Sequence, residues 1–332
     1  MSEAAMPTEF AYELVEDWPR LPEGHALNDV CGLAVDSRGR IFAFNRGSTP
    51  VTIFDADGSF LGGWGGAEFV RPHGAFIDAE DMLWLADDRG HSVRRFTLDG
   101  RCVLTLGIPG SPQPFMGGEP FNRPTHVAGS PEGDFYVSDG YGNARIHRFD
   151  GHGRYIQSWG QPGTEPGEFN VVHNVTCDDL GRVYVADREN HRVQIFDGEG
   201  RFLAQWNNLY RPAGLFTSRG PNPITVIGEG GPQTPIEKAV PNLGARVTVL
   251  DASGRRLARI GGWRPGTGSC EFIAPHCVVI DKEGALYVGE VSYSNWPKKF
   301  PDRPCPAGLR SLRKFRRVSV AVDSARVRER IA

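Results

Sequence analysis

The chain has 332 residues with 42 Gly and 25 Pro, and 39% of it is hydrophobic: enough for a packed core, which excludes general disorder, and too heavily punctuated for a helical protein. Its formal charge of −3, from 37 Lys+Arg against 40 Asp+Glu, argues against a nucleic-acid coat. The length suits either two average domains or one large all-β domain.

The first twenty residues carry Glu3, Glu9, Glu13, Glu16 and Asp17 and no apolar stretch of the secretory type. No later run is long enough to span a bilayer. The six cysteines (Cys31, Cys102, Cys177, Cys270, Cys277 and Cys305) show no CxxC pair or other close spacing. A reduced, cytoplasmic protein without a membrane partner is expected.

Along the chain, one pattern repeats about every fifty residues. Ile41-Phe42-Ala43-Phe44-Asn45 is its first copy, followed by Leu83-Trp84-Leu85-Ala86-Asp87, Phe135-Tyr136-Val137-Ser138-Asp139, Val183-Tyr184-Val185-Ala186-Asp187 and Leu286-Tyr287-Val288-Gly289-Glu290. A polar turn follows each strong copy, then an alternating run ending in Phe96, Phe149 or Phe196. An Asp/Gly turn and a strand ending near Trp-Gly complete the unit, as at Trp64-Gly65 and Trp159-Gly160.

Each unit predicts four short strands. Aligned at the first strand, the units begin near Cys31, His73, Thr125, His173, Ala213 and His276. A four-stranded repeat of this length predicts one all-β domain over residues 1–332, a six-bladed β-propeller. The sixth unit has its third strand at Leu312–Arg316 and lacks a fourth, which a strand over about 10–18 supplies, closing the ring and removing a sheet edge.

From Pro297 to Ala332 there are eleven Lys/Arg against three Asp/Glu, a balance of +8 that leaves −11 for the rest. Its strand-like apolar residues favour a solvated strand with a tail over about 319–332, rather than a surface for anionic partners. Two insertions, Glu229 to Gly244 and Val291 to Gly308, fall between second and third strands. Long loops on one face of a rigid scaffold are where binding resides.

In a propeller the first strands line the central channel. His73, His173 and His276 hold one aligned position in units two, four and six, so alternate blades aim three imidazoles at one axial point. Three histidines with an open fourth position are the catalytic pattern for zinc, and another divalent metal fits the same ligands. The plainer reading is a set of polar residues lining a wet channel. His126 lies one residue out of register and reads as a core histidine.

Strand direction brings the turns after each second strand to the same mouth, which places Arg46, Tyr141 and Arg188 there, with Arg89 and His91 as weaker members. A metal polarises an oxygen, neighbouring cations favour a phenolate, and arginines clamp carboxylates. The expected partner is a small anion bearing a carboxylate and a group that exchanges a proton.

The repeat resembles the NHL repeat. More specifically, Val137-Ser138-Asp139-Gly140-Tyr141-Gly142-Asn143-Ala144-Arg145-Ile146, Ala186-Asp187-Arg188-Glu189-Asn190 and the three histidine positions resemble peptidyl-α-hydroxyglycine α-amidating lyase over nearly the whole chain. That resemblance implies a zinc-dependent lyase that splits an N-acyl-α-hydroxyglycine into an amide and glyoxylate. It implies zinc on His73, His173 and His276, Tyr141 as the base, and Arg46 and Arg188 holding the substrate carboxylate and stabilising the phenolate. Two positions depart from the family. Cys277 follows the third histidine where the family has a calcium-binding Asp, which speaks against calcium, and Gly142 follows the tyrosine where secreted members have cysteine. Other readings of the same chain are a metal-dependent propeller hydrolase or lactonase, and a non-enzymatic NHL scaffold for a protein or RNA. Calcium hydrolases favour carboxylates where this chain has His, and the negative propeller disfavours RNA.

Overall fold

Six four-stranded antiparallel sheets make up the computed structural model, which describes residues 10–262 and 264–319. Their first strands are Val30–Val35, Pro72–Ile77, Pro124–Gly129, Val172–Cys177, Pro212–Thr217 and Pro275–Ile280. In five sheets the four strands follow one another in chain order. The architecture is the all-β six-bladed propeller expected from the repeat.

The last sheet closes the ring: Phe10–Leu14 pairs with Leu312–Ser319, in register from Phe10↔Ser319 to Leu14↔Phe315. This strand stops short of residue 18, and the Trp18 side chain turns into the gap between blades one and six. There its ring packs 5.8 Å from Phe54 and 4.9 Å from Tyr287. The tail expected beyond Ser319 lies outside the described residues.

No single core holds the ring. Each gap between neighbouring blades has its own wedge of apolar side chains, such as Val172, Val175, Val183 and Phe196 against Tyr136 and Ile146. Second strands are covered on both faces, so Leu83–Asp87, Phe135–Asp139 and Val183–Asp187 are buried at every residue. That is why they read as continuous apolar runs and carry the repeat most clearly. Fourth strands form the rim, and Phe60–Trp64 alternates between half-buried and exposed. Among the described residues no helix is long and apolar enough to cross a membrane.

Candidate metal centre and its arginine-lined mouth

The side chains that meet on the axis are placed by a bulge repeated in every blade. Pairing of first with second strand skips a residue at the same point each time: between Val30 and Gly32, Pro124 and His126, Val172 and Asn174, Pro212 and Gly214, and Pro275 and Cys277. In blade two the gap runs from Pro72 to Ala75. The skipped residues are Cys31, Thr125, His173, Ala213 and His276, with His73 inside the wider gap. A bulge re-aims the side chain it frees, and here it aims at the channel.

Three of these positions carry imidazoles, and the alternate three carry small residues whose backbone carbonyls orient them. His73 Nδ1 lies 2.7 Å from the Thr125 carbonyl, His173 Nδ1 2.8 Å from that of Ala213, and His276 Nδ1 2.9 Å from that of Cys31. Each carbonyl only accepts, so each Nδ1 carries the proton and each Nε2 keeps its lone pair. The three rings offer ligand atoms all within 4.8 Å of one another, and all three are buried.

Burial pushes all three imidazoles well below their usual pKa, helped by the Arg46 charge for His73 and His276 and by the Arg188 charge for His173. They are neutral at physiological pH. Neutral, carbonyl-oriented imidazoles with converging lone pairs fit a divalent metal. Cys31 is excluded as a fourth ligand: its thiol bonds to the Phe44 and Pro72 carbonyls, and burial pushes it up to about 12. Cys277 points its thiol at the Val30 carbonyl and is likewise held protonated by burial. A protonated thiol is a poor ligand for calcium.

Tyr141 reaches over this centre. Its hydroxyl lies 3.1 Å from His73 Nε2 and 2.9 Å from His173 Nε2, and it accepts a 3.3 Å hydrogen bond from an Arg188 terminal nitrogen. The glycines on either side make this position accessible. A Cβ on Gly140 would lie 1.7 Å from the Val172 carbonyl oxygen, and one on Gly142 would lie 2.0 Å from Asn122 Oδ1. The Ser-Asp-Gly-Tyr-Gly run is therefore a steric requirement for bringing the phenol against the next blade.

The structure brings His73, His173, His276, Tyr141, Arg46 and Arg188 to one mouth. Arg46 donates to the Pro72 carbonyl and forms a 3.2 Å ion pair with Asp29. Arg89 is exposed and does not line the cavity, and His91 instead accepts the Arg123 backbone N–H. His126 is buried in the core, its ring nitrogens 3.1 and 3.2 Å from the Val175 and Ala75 carbonyls. The cavity above the metal centre holds about 300 Å³ and is also lined by Arg71, Arg123, Arg211 and Lys298, which the sequence reading passed over.

A readable pattern did exist for the arginines. Counting two residues back from each aligned channel position gives Asp29, Arg71, Arg123, Val171, Arg211 and Ala274. Three carboxylates pair with the ring: Asp29 with Arg46, Asp88 with Arg71 and Arg123, and Glu189 with Arg188 and Arg211. Burial alone would raise the Glu189 carboxyl, but its bonds to Arg211 and the Arg188 charge bring it down to about 2.

The insertions supply a roof. Helix α1 (Pro235–Ala239) is started by a capping box between Thr234 and Glu237. Helix α2 (Ser292–Lys299) is fastened to blade one by the Ser294 N–H and hydroxyl bonding to Asp29. Gln233 just before α1 bonds to Asn295 of α2 at 3.3 Å, and both line the cavity. Repeat alignment located these loops, while their inward-facing side chains belong to no repeat.

Comparison with known proteins adds four likenesses. The NHL repeat model matches residues 169–196. Human NHL repeat-containing protein 3 is 31% identical over 313 residues, spanning 87% of this chain and 84% of the human one. Peptidyl-alpha-hydroxyglycine alpha-amidating lyase 2 of Drosophila melanogaster is 28% identical over 340 residues, spanning 87% of this chain and 73% of its own. Among solved structures, virginiamycin B lyase from Staphylococcus aureus superposes with a TM-score of 0.53 at 12% identity, covering 86% of this chain and 83% of its own, a likeness of fold alone.

Proposed function

This chain belongs to the family of NHL repeat proteins that includes NHL repeat-containing protein 3, and on that premise we propose that it is a zinc-dependent lyase. It cleaves the carbon–nitrogen bond of an N-acyl-α-hydroxyglycine-like carbinolamide, giving an amide and glyoxylate. The observation that carries this reading is the Tyr141 hydroxyl, which touches His73, His173 and Arg188 at once. The likeness to an amidating lyase over 87% of this chain supports it.

His73, His173 and His276 hold the metal, which when bound supplies positive charge beside the reacting oxygen. Arg46 and Arg188 bind the substrate carboxylate, a planar anion that suits two guanidiniums. The Tyr141 oxygen takes the proton of the α-hydroxyl. As the glyoxylate carbonyl forms, the carbon–nitrogen bond breaks, and the proton lost from oxygen is balanced by one gained at the amide nitrogen. The lyase reading is preferred to a water-activating hydrolase because Asp29, Asp88 and Glu189 stand behind the arginines they pair with and none of the three lines the cavity as a base for water.

The test follows glyoxylate and benzamide from α-hydroxyhippurate with zinc-loaded protein. Release of the two in equal amounts is expected, falling by about 10³-fold in Tyr141→Phe while metal content stays stoichiometric. No release from metal-loaded protein sinks the proposal. Metal loss in Tyr141→Phe removes the role given to the phenol.

A further inference from the structure

We infer that the substrate carries a second carboxylate, on its acyl portion, bound by Arg71 and Arg123. This rests on the lyase reading for the reaction, and on the charge of the mouth for the second group. The cavity is lined by six cations (Arg46, Arg71, Arg123, Arg188, Arg211 and Lys298). Three carboxylates pair with them (Asp29, Asp88 and Glu189), so 6 − 3 leaves +3. A substrate with one carboxylate still leaves +2 on these side chains.

The excess has a location. Arg211 has all three nitrogens engaged: Nε and one terminal nitrogen bond to Glu189, and the other bonds to the Gly231 carbonyl. Arg46 and Arg188 already serve the metal side of the mouth. Arg71 and Arg123 differ, because each makes one side-chain hydrogen bond, 2.9 Å long, although a guanidinium carries five donors; Arg123 in addition lays its flat face over the Tyr141 ring at 4.7 Å, a contact that uses none of those donors.

Both bonds go to the same oxygen, Asp88 Oδ2, while the other oxygen of that buried carboxylate has no partner. Two arginines present only to brace Asp88 would divide its two oxygens between them. Their crowding on one leaves the remaining donors for something else. A carboxylate meeting this pair finds two guanidiniums with one shared counter-charge. A cavity of about 300 Å³ restricts the acyl portion to a short one.

Two measurements test the inference, one independent of turnover. Calorimetry on the zinc-loaded protein compares succinate with butyrate, which has the same chain length and one carboxylate fewer. Succinate should bind about 10-fold more tightly, with a preference that shrinks as salt rises and disappears in Arg71→Gln. If that variant does not fold, Arg123→Gln gives the same reading. Turnover then compares N-succinyl-α-hydroxyglycine with α-hydroxyhippurate, and the ratio of kcat/KM should favour the succinyl substrate about 10-fold and collapse toward one in the variant. Equal binding of succinate and butyrate, or a preference that survives in the variant, overturns the second site. Glyoxylate released equally well from both substrates overturns it too and leaves the lyase standing. Succinate preference without glyoxylate from either substrate overturns the lyase and leaves the anion pair standing.

Discussion

The two mouths of the channel are made by the same six strands and share almost no chemistry. Where the first strands end, a cavity of about 530 Å³ is walled by Leu33, Ile77, Val175, Leu215 and Val279. Its rim repeats one turn. Asp36 accepts the backbone N–H groups of Arg38 and Arg40, Asp178 those of Leu180 and Arg182, and Asp281 those of Glu283 and Ala285. Where the first strands begin, the rim carries Arg, Asp, Tyr and the two insertions, and aligned positions differ from blade to blade. A repeat is maintained where a residue only holds its own blade. The candidate site lies where the blades stop resembling one another.

The most damaging way to break this contrast is at the axis. His173→Ala should lower bound metal to about a tenth of stoichiometric or less and reduce turnover by about 10³-fold or more, while circular dichroism and melting stay near wild type. Among the described residues the ring bonds only to the Ala213 carbonyl and the Tyr141 hydroxyl, so little of the blade depends on it. Full metal content measured by elemental analysis in this variant would make the contrast between the mouths one of composition, without chemistry.

The opposite mouth should answer with stability alone. Asp178 accepts from Leu180 and Arg182 N–H groups, from the Arg182 guanidinium at 2.6 Å and from the Tyr184 hydroxyl at 3.0 Å, all inside one turn. Asp178→Ala should cost about 1–3 kcal/mol, because the buried Tyr184 hydroxyl and the part-buried donors of the turn lose their acceptor. Chemical denaturation measures that loss, and kcat/KM per folded molecule should stay within about 2-fold of wild type. A large activity loss at unchanged stability would mean that the two mouths communicate.

How much could be read beforehand follows from the same contrast. The blades were legible because Leu83–Asp87, Phe135–Asp139 and Val183–Asp187 are buried on both faces and tolerate little but apolar residues. The histidines were legible as a departure from that repeat, at positions that the bulges turn toward the channel. Their orienting carbonyls were not, since backbone groups leave no mark on residue type. Arg71 and Arg123 each precede a proline at the same aligned place, yet which oxygen of Asp88 they share depends on side-chain geometry. Gln233, Ser294 and Asn295 were out of reach because insertions have no periodicity to align.

The smallest expected effect tests the excess of positive charge at the arginine mouth. Lys299 ends α2 with its ammonium buried, bonded to the Gly230 and Pro232 carbonyls at 2.7 and 3.2 Å and, among the described residues, to no carboxylate. Burial, reinforced by the charges of Arg211 and Lys238, brings it from the ordinary 10.5 down to about 7. Below about pH 7 the group is charged in both the folded and the unfolded chain, and above about 10.5 in neither. Between them the unfolded chain binds a proton that the fold refuses, so this group's contribution to stability rises with pH across the window. From pH 7 to pH 9 the melting temperature of the wild type should therefore gain about 2 °C on that of Lys299→Met, measured side by side. Parallel curves would place Lys299 outside the window and weaken the claim that cations outnumber carboxylates around this mouth. A steeper wild-type curve that flattens when succinate is added would tie the lysine to the same field that Arg71 and Arg123 create.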